Sequence, residues 1–447
     1  MNHDANGIKQ TQTGGRPATS GLIRGRYSLS VGMPSETPPD GWSWLPLSEL
    51  ARLETGHTPS RKHHDYWDGD FCWIGIKDAT SNHGRTLTDT FQHITRLGLE
   101  NSSARLLPKN TVCLSRTASV GYVVVMGKEM ATSQDFVNWV CSENLDHDFL
   151  KYILLSERDS FLRFASGTTH QTIYFPEAKA FHVCIPPIGE QKAIAHILAT
   201  LDDKIELNRK TNETLEAMAK ALFQSWFVDF DPVRAKAEGR STGLPDEIRE
   251  LFPDSFEDSE LGEIPRGWEI CGLERFLVLQ RGYDLPATQR INGKYPVIAA
   301  SGPSGCHNEA MSTAPGVVTG RSGVLGKVFY VQSDFFPLNT TLWAKEFRLA
   351  TPIYAYFLLG SIDFSSFNAG SAVPTLNRNH LGGLRFAAPP SEIIRFYSET
   401  AVSLMTGVEQ ISNQVACLVE TRDTLLPKLI SGELRIPEAE KLVSDLG

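Results

Sequence analysis

The chain has no uninterrupted apolar run of the roughly 18 residues that a membrane-spanning helix requires. Residues 1–40 also lack the apolar core of a secretory signal and are rich in glycine, serine, threonine and proline. We therefore expect no membrane partner, and residues 1–40 are predicted to form a disordered N-terminal leader.

The seven cysteines form no CxxC pair. An odd number of cysteines without paired spacing argues against both a disulfide framework and a zinc site. Free thiols fit a reducing compartment, so we expect the protein in the cytoplasm. The cysteines are Cys72, Cys113, Cys141, Cys184, Cys271, Cys306 and Cys417.

Catalytic motifs are missing as well. The stretch GRSGVLGK resembles a P-loop, but Arg321 stands where the first glycine is needed and Val328 where serine or threonine is needed. HExxH, GxSxG and strand-linked GxGxxG motifs are absent. DFDPV at Asp229 has only one of the two prolines of the (D/N)PP(Y/F) loop of amino-methyltransferases. The sequence therefore predicts no catalytic residue and no cofactor in this chain.

Several histidines are concentrated in one part of the sequence, without the fixed spacings to cysteine or acidic partners that metal sites show. We predict no metal site and expect solvated loop histidines, some of them close to phosphate. They are His57, His63, His64, His83 and His93.

A length of 447 residues predicts two or three domains. The net charge of -9 at pH 7 argues against binding of nucleic acid by charge alone. The excess acid is concentrated between Asp229 and Glu263, however, whereas Trp268–Ala388 is mildly basic. Composition therefore leaves the partner open.

An internal repeat organises the chain, because three blocks of sequence match in the same order. The matches are Gly41-Trp42 and Gly56 with Gly267-Trp268 and Gly282, LSRTASVGYVVV with VTGRSGVLGKVFYV, and Gly167, Thr172 and Pro186-Pro187 with Gly370, Thr375 and Pro389-Pro390. The offset falls along the chain, so we expect extra loop residues before Arg116 in the first copy. The predicted segments are a leader at 1–40, a first globule at 41–185, a helix at 186–228, an acidic linker at 229–266, a second globule at 267–388, a helix at 389–432 and a tail at 433–447.

Each globule combines short β-rich runs, separated by turn residues, with one helical segment. The fold class expected from this pattern is α+β with mostly antiparallel sheets. The predicted strands are Phe71–Ile76, Thr111–Leu114, Tyr122–Met126, Phe136–Val140, Tyr295–Ala299, Gly316–Thr319, Lys327–Val331 and Thr341–Ala344, and the helical segments are Phe149–Phe164 and Ile353–Phe367.

A long helix is predicted after each double proline, because apolar residues recur there at alternating intervals of four and three. A helix of about 35 residues is roughly 50 Å long. We expect the two helices to pack against each other, with Asn208 and Asn212 fixing register, although each helix could instead pack on its own globule. The seam residues would be Leu198, Leu201, Ile205, Asn208, Asn212, Leu215, Leu404, Val408, Ile411, Val415 and Leu418.

Polar loops at comparable places in both globules carry the residue types that hold phosphates and read base edges. For any single residue, a plain solvated loop is the alternative. Arg116 and Arg321 recur between a strand and a glycine, where a structural role in the turn is equally possible. The candidate nucleic-acid contacts are Arg61, Lys62, His64, Tyr66, Arg116, Thr117, Ser119, Thr169, Gln171, Arg281, Tyr283, Arg321, Ser322, Asn377, Arg378 and Asn379.

The chain resembles the DNA-specificity subunit of type I restriction-modification systems from about Gly41 onward. The residues that carry the resemblance are IPPIGEQKAIAHILATLDDKIELNRKTNETLEAMAKALFQSWFVDFDPVRAK at Ile185–Lys236, LGEIPRGWEI at Leu261–Ile270 and LPKLISGELRI at Leu426–Ile436. The second copy departs from the family at Ser391-Glu392-Ile393, where members usually keep EQ.

The resemblance implies two tandem target recognition domains that each read half of a split double-stranded DNA target. It further implies an antiparallel coiled coil of the two long helices that sets the gap. Two modification subunits with S-adenosylmethionine would methylate adenine, and restriction and translocase subunits with ATP and Mg would join for cleavage. This chain would have no catalysis of its own. A scaffold that assembles other proteins without touching DNA is the alternative function.

Overall fold

The structure, a computed structural model, describes residues 21–165, 171–364, 376 and 381–444. These residues form two compact units. Unit 1 holds the described residues up to Leu207 and those from Val415 onward, and unit 2 is Asn208–Gln414. None of the described helices is long and apolar enough to cross a membrane.

Unit 1 contains three sheets with short helices between their strands. In sheet order the strands are Ile23–Arg24, Leu29–Val31, Phe181–Ile185 and Ser43–Pro46; then Ala51–Thr55, Phe136–Cys141, Val112–Ser115, Val123–Met126 and Thr86–Leu87; then Ala131–Thr132, Trp67–Ile74 and Gln92–Ile94. The helices of the globule are Leu47–Leu50, Ile76–Ser81, Arg96–Glu100, His147–Ser156, Arg158–Phe164 and Phe175–Lys179, with a 3₁₀ turn at His64–Tyr66.

Unit 2 is built in the same manner from fewer residues. Its larger sheets are, in order, Leu277–Arg281, Thr341–Phe347, Gly316–Gly320 and Val328–Val331; and Gly302–His307, Tyr295–Ala299 and Phe336–Pro337. Its two-stranded sheets are Glu269–Gly272 with Arg385–Ala388, and Phe256–Ser259 with Gly262–Pro265. Its shorter helices are Asp231–Ala237, Asp246–Arg249 and Pro352–Gly360, with 3₁₀ turns at Leu273–Arg275 and Ala287–Gln289.

The two globules share one topology. In each, four strands of the largest sheet follow the same order, with the second and third of these strands along the chain joined as an antiparallel hairpin. The three-stranded sheet of each unit contains a parallel pair, Ala131–Thr132 beside Trp67–Ile74 in unit 1 and Phe336–Pro337 beside Tyr295–Ala299 in unit 2. Most pairings are antiparallel, so the predicted α+β class is confirmed. The extra residues of the first copy include the helices Ile76–Ser81 and Arg96–Glu100, and not only loops.

The end of the predicted leader at residue 40 is too late. Leu29–Val31 is a buried strand that pairs with Phe181–Ile185, so these residues belong to the first globule. The buried carboxylate of Glu157 accepts the backbone N–H groups of Arg26 and Tyr27 and so anchors the chain just before this strand. Residues 1–20 lie outside the described residues.

Two other predicted connecting segments are ordered parts of the units. In the predicted acidic linker, Val233 and Phe252 are buried in the core of unit 2. In the predicted tail, the helix Ile436–Ser444 packs on the core of unit 1 through Ala439, which is fully buried. Both segments are acidic or polar in overall composition, but their few apolar side chains are buried in the cores. Burial of this apolar surface explains why the two segments pack on the units.

Two helices of 40 residues each, Ile188–Phe227 and Ser391–Ile430, are called the first and second spacer helix. Each is about 60 Å long at 1.5 Å per residue. The helices begin directly after the double prolines, which cannot lie within a helix interior. Pro427 lies in the last turn of the second spacer helix.

The spacer helices run antiparallel. In unit 2, Asn208 Nδ2 lies 3.5 Å from Gln414 Oε1 and Asn212 Nδ2 donates to Ser412 Oγ at 2.9 Å. Residue numbers therefore rise along one helix where they fall along the other. The predicted seam asparagines therefore pair with polar groups of the other helix and not with each other. A coiled coil of two long antiparallel helices, as predicted, is confirmed.

Burial varies along the predicted seam. Leu198, Leu201, Ile205, Val408 and Leu418 are at most 9% exposed. The other apolar seam positions, Leu215, Leu404, Ile411 and Val415, are half-buried. The seam is therefore most tightly packed where a globule covers it, and the polar asparagine pairs lie in the less covered stretch.

In unit 1 a polar network ties both spacer helices to the globule. Arg422 Nη1 donates to Asp202 Oδ1 at 2.8 Å, across the two helices. The hydroxyl of Tyr152, on the helix His147–Ser156 of the globule, donates to Asp202 Oδ2 at 2.8 Å. Arg422 also donates to Asp423 on its own helix at 2.7 Å. Asp202 therefore joins three helices at one point.

Candidate nucleic-acid interface

In unit 1, segments that are distant in sequence come together at one end of the five-stranded sheet. Arg116 Nε donates to the carbonyl of Gln134 at 3.1 Å, and the side chain of Gln134 accepts from the hydroxyl of Thr58. The hydroxyl of Thr117 lies 2.9 Å from that of Thr172. Four loops thus form one polar surface, which we call the unit 1 loop cluster (residues 56–63, 115–121, 133–135 and 171–173).

Unit 2 has the equivalent unit 2 loop cluster (residues 281–286, 320–323, 338–340 and 376). Arg321 Nη1 donates to the carbonyl of Asn339 at 3.4 Å, and the backbone N–H of Asn339 donates to the carbonyl of Tyr283 at 2.8 Å. The N–H of Leu376 donates to the carbonyl of Arg321 at 2.8 Å. The internal repeat of the sequence therefore corresponds to a repeated site.

Arg116 and Arg321 make the same contacts in the two clusters. The backbone N–H of each donates to a carbonyl just before the last strand, that of Asp135 at 2.7 Å and that of Thr340 at 2.8 Å. Each guanidinium donates to the preceding carbonyl, and each arginine carbonyl accepts an N–H from the fourth segment. Burial lowers the pKa of Arg116, and the nearby Asp135 opposes this effect. Of the two roles considered for these arginines, the structural role in the turn is therefore present in both copies.

A matched pair of glycines permits this convergence. A Cβ at Gly56 would lie 2.1 Å from the carbonyl oxygen of Ser133, and one at Gly282 would lie 2.2 Å from that of Leu338. Real Cβ atoms do not approach backbone this closely, so only glycine fits at either position. These are two of the glycines that define the repeat in the sequence.

Arg61 is exposed and lies on a half-buried aromatic platform beside the unit 1 loop cluster. Its guanidinium stacks over the ring of Trp67 at 3.8 Å and donates to Gln92 Oε1 at 2.8 Å. His63 stacks on Tyr66 with ring centroids 4.8 Å apart. Lys62 and His64 are exposed in the same stretch. A flat cation held by aromatic rings is well suited to phosphate or base contacts.

The other predicted nucleic-acid contacts differ in their exposure and in their partners. Arg281 is exposed but forms an ion pair with Asp284 at 3.3 Å, and Tyr283 is half-buried against Phe336. The carbonyl of Ser119 accepts from the hydroxyl of Ser115, Ser322 is half-buried, and Gln171 is exposed. Four predicted contacts lie outside the described residues, namely Thr169, Asn377, Arg378 and Asn379.

Sequence reasoning missed the segments that lie directly before the last strand of each large sheet. Gln134 and Asp135 in unit 1, and Asn339 and Thr340 in unit 2, connect the arginine turns to the remaining loops. The internal repeat could have identified these segments, because polar residues precede the strands Phe136–Cys141 and Thr341–Phe347 at matching positions.

Comparisons with known proteins find similarity to one family, through a family model that matches part of the chain and through relatives that align with most of it. Residues 39–217 match the model of the type I restriction modification DNA specificity domain. The chain is 27% identical to the MjaIX specificity subunit of Methanocaldococcus jannaschii, over 90% of this chain and 95% of that protein. It is also 27% identical to the HindI specificity subunit of Haemophilus influenzae, over 60% of this chain and 72% of that protein.

The fold agrees with these sequence matches. The crystal structure of a type I specificity subunit from M. genitalium is similar with a TM-score of 0.58 at 17% identity, covering 88% of this chain and 97% of that one. Specificity subunits are the non-catalytic members of their restriction enzymes, in agreement with the missing catalytic motifs. Over most of its length the chain is therefore similar to the specificity subunits of type I restriction enzymes.

Proposed function

We propose that this chain reads a bipartite double-stranded DNA target, with one loop cluster for each half. The observation that carries the proposal is the repetition of one polar loop cluster, on one topology, in both units. Direct readout needs side chains on short loops or helices that can enter a groove, with other groups left to hold phosphates. The exposed Arg61 side chain supports such contacts in unit 1.

The spacer helices would set the number of base pairs between the two halves. A helix of about 60 Å is longer than one turn of DNA, which rises ~34 Å, so a discontinuous target is geometrically reasonable. The antiparallel seam and its asparagine pairs support a fixed length, since a register slip would break both polar contacts.

Partner subunits would carry the chemistry. Two modification subunits with S-adenosylmethionine would methylate adenine in the target, and restriction and translocase subunits with ATP and Mg would act on unmodified DNA. The net charge of -9 supports a shared interface, in which the partners supply much of the phosphate contact.

The test is to co-express the chain with its modification subunit and to map adenine methylation across a genome by long-read sequencing. Two short defined sequences at a fixed gap are the expected result. A purified, cofactor-bound complex that methylates no defined motif would refute the proposal and favour the protein scaffold.

A further inference from the structure

Among the residues that the structure describes, one group of metal-ligating side chains comes together in unit 1. Asp89 Oδ1 lies 3.3 Å from Cys72 Sγ and 2.8 Å from His93 Nε2, and the ligand atoms of all three residues lie within 4.8 Å of one another. The sequence predicts no metal site here, because the separations of 17 and 4 residues match no metal motif.

The sheet register brings the group together. Cys72 and His93 are direct partners on the antiparallel strands Trp67–Ile74 and Gln92–Ile94, so their side chains project from the same face. Asp89 lies in the turn that leads into the second of these strands. Two of the three ligands, Cys72 and His93, are therefore carried by paired strands.

Hydrogen bonds fix the turn that carries Asp89. The N–H of Trp73 donates to Thr90 Oγ1 at 3.1 Å, and the N–H of Phe91 donates to Asp78 Oδ1 at 2.8 Å. The other oxygen of Asp78 accepts the N–H of Gly75, so this carboxylate is engaged as a helix cap. The turn is thus held from both sides, which is the support that a preorganised site requires.

We propose that Cys72, Asp89 and His93 bind a divalent cation of the zinc class, with water as the fourth ligand. One sulfur, one nitrogen and one oxygen donor form a set typical of tetrahedral zinc. Cys72 is buried, whereas the side chain of Asp89 is 71% exposed and leaves the fourth position open to solvent. The cation would bind the Cys72 thiolate, the Asp89 carboxylate and neutral His93, and the thiol proton would pass to solvent.

Donor atoms around tetrahedral zinc are separated by about 3.3–3.7 Å, given bond lengths of about 2.0–2.3 Å. The separation between His93 Nε2 and Asp89 Oδ1 must therefore widen slightly, which the exposed Asp89 side chain allows. Bound metal would also order the strand residue Gln92, which accepts from Arg61. The site would then stabilise the aromatic platform beside the unit 1 loop cluster.

The experiment uses the full-length chain, purified without a metal-affinity tag under a non-chelating reductant and then treated with a chelator. Zinc affinity is measured by competition with a chromophoric chelator, and cobalt is added as a spectroscopic probe of thiolate ligation. We expect one zinc per chain, a thiolate-to-cobalt charge-transfer band, and a rise in melting temperature with zinc. Cys72→Ser and Asp89→Asn should each weaken zinc binding at least tenfold, and Cys72→Ser should abolish the charge-transfer band.

Cys306→Ser is the matched control, because it removes an exposed thiol in unit 2 and should leave zinc affinity unchanged. Asp89→Asn keeps the proposal testable if Cys72→Ser fails to fold, since an exposed side chain is replaced by one of the same shape. Absence of stoichiometric zinc binding, or equal affinity in wild type and Asp89→Asn, would show that the group is only hydrogen-bonded and would overturn the proposal.

Discussion

Replacing Asp202 with alanine should loosen the attachment of the spacer helices to the globule of unit 1. The substitution removes the acceptor of both Arg422 Nη1 and the Tyr152 hydroxyl, each at 2.8 Å. Tyr152 is fully buried, so its hydroxyl would lose the acceptor at Asp202 in a site that water does not readily reach. Arg422 would keep its bonds to Asp423.

The expected cost follows from these contacts. A hydrogen bond to a charged group contributes about 1.5–3 kcal/mol, and removing the shared acceptor breaks two of them. Asp202 and Arg422 are both 28% exposed, so water screens the ion pair and reduces its share. We therefore expect Asp202→Ala to lower local stability by about 2 kcal/mol, equivalent to a roughly 30-fold rise in the opening constant.

Hydrogen exchange measured by mass spectrometry on peptides from His147–Ser156 is the assay, since it reports local opening within a protein of two units. A double-mutant cycle with Arg422→Ala should give a coupling energy of about 1 kcal/mol. Asp246→Ala, which breaks the exposed pair with Arg249 in unit 2, is the control and should change stability by no more than about 0.5 kcal/mol. An unchanged rate of hydrogen exchange in the helix His147–Ser156 would contradict a shared network at Asp202. Strictly additive effects of the two single substitutions on stability would contradict it as well.

Three further predictions concern the rest of the chain. Gly282→Ala should destabilise unit 2 by at least about 2 kcal/mol in denaturant unfolding because of the backbone clash, whereas Gly383→Ala, with open space around its Cβ, should be nearly neutral. Burial, followed by the charges of Arg158 and Arg422, lowers the pKa of His83 to about 4. The unfolded chain therefore binds a proton at this histidine more readily than the folded protein does, so stability should fall as the pH decreases from about 6.5 to 4. His83→Gln should reduce this loss of unfolding free energy with decreasing pH, and an unchanged pH dependence of stability would refute the assignment. Deleting the heptad Leu201–Leu207 should change the gap of the methylated motif or abolish assembly, and altered half-site bases would contradict the division of labour.

The sequence predicted best those elements whose signals are local. Tyr295–Ala299 has its predicted bounds, and the spacer helices begin within two residues of the predicted positions because the prolines leave little choice. The predicted helix Phe149–Phe164 is instead two helices that meet at Glu157. That break accompanies a non-local contact, since the Glu157 carboxylate binds backbone about 130 residues earlier.

The residue types of the candidate interface could be predicted from the sequence, but the hydrogen bonds between its loops could not. Polar loops, the repeated glycines and the repeated arginines are visible in the sequence. Which carbonyl each arginine binds depends on the segments at Gln134 and Asn339, which are brought close to the arginines by the tertiary fold. The Cys72–His93 pairing likewise depends on strand register, and a shift of one residue would put the two side chains on opposite faces.

The shared contacts also indicate where sequence discrimination should reside. Arg116 and Arg321 bind the backbone of their own globules, so replacing either should disturb the loop cluster as a whole and weaken binding to every sequence. A substitution that alters the preference for only one half-target must replace a side chain that projects beyond these shared contacts. Arg61 meets that condition, because its guanidinium is exposed and is held by side chains, those of Trp67 and Gln92, that have no counterpart among the contacts shared by the two units. Under the proposed function, two globules with the same internal contacts and different projecting side chains would read two different half-targets.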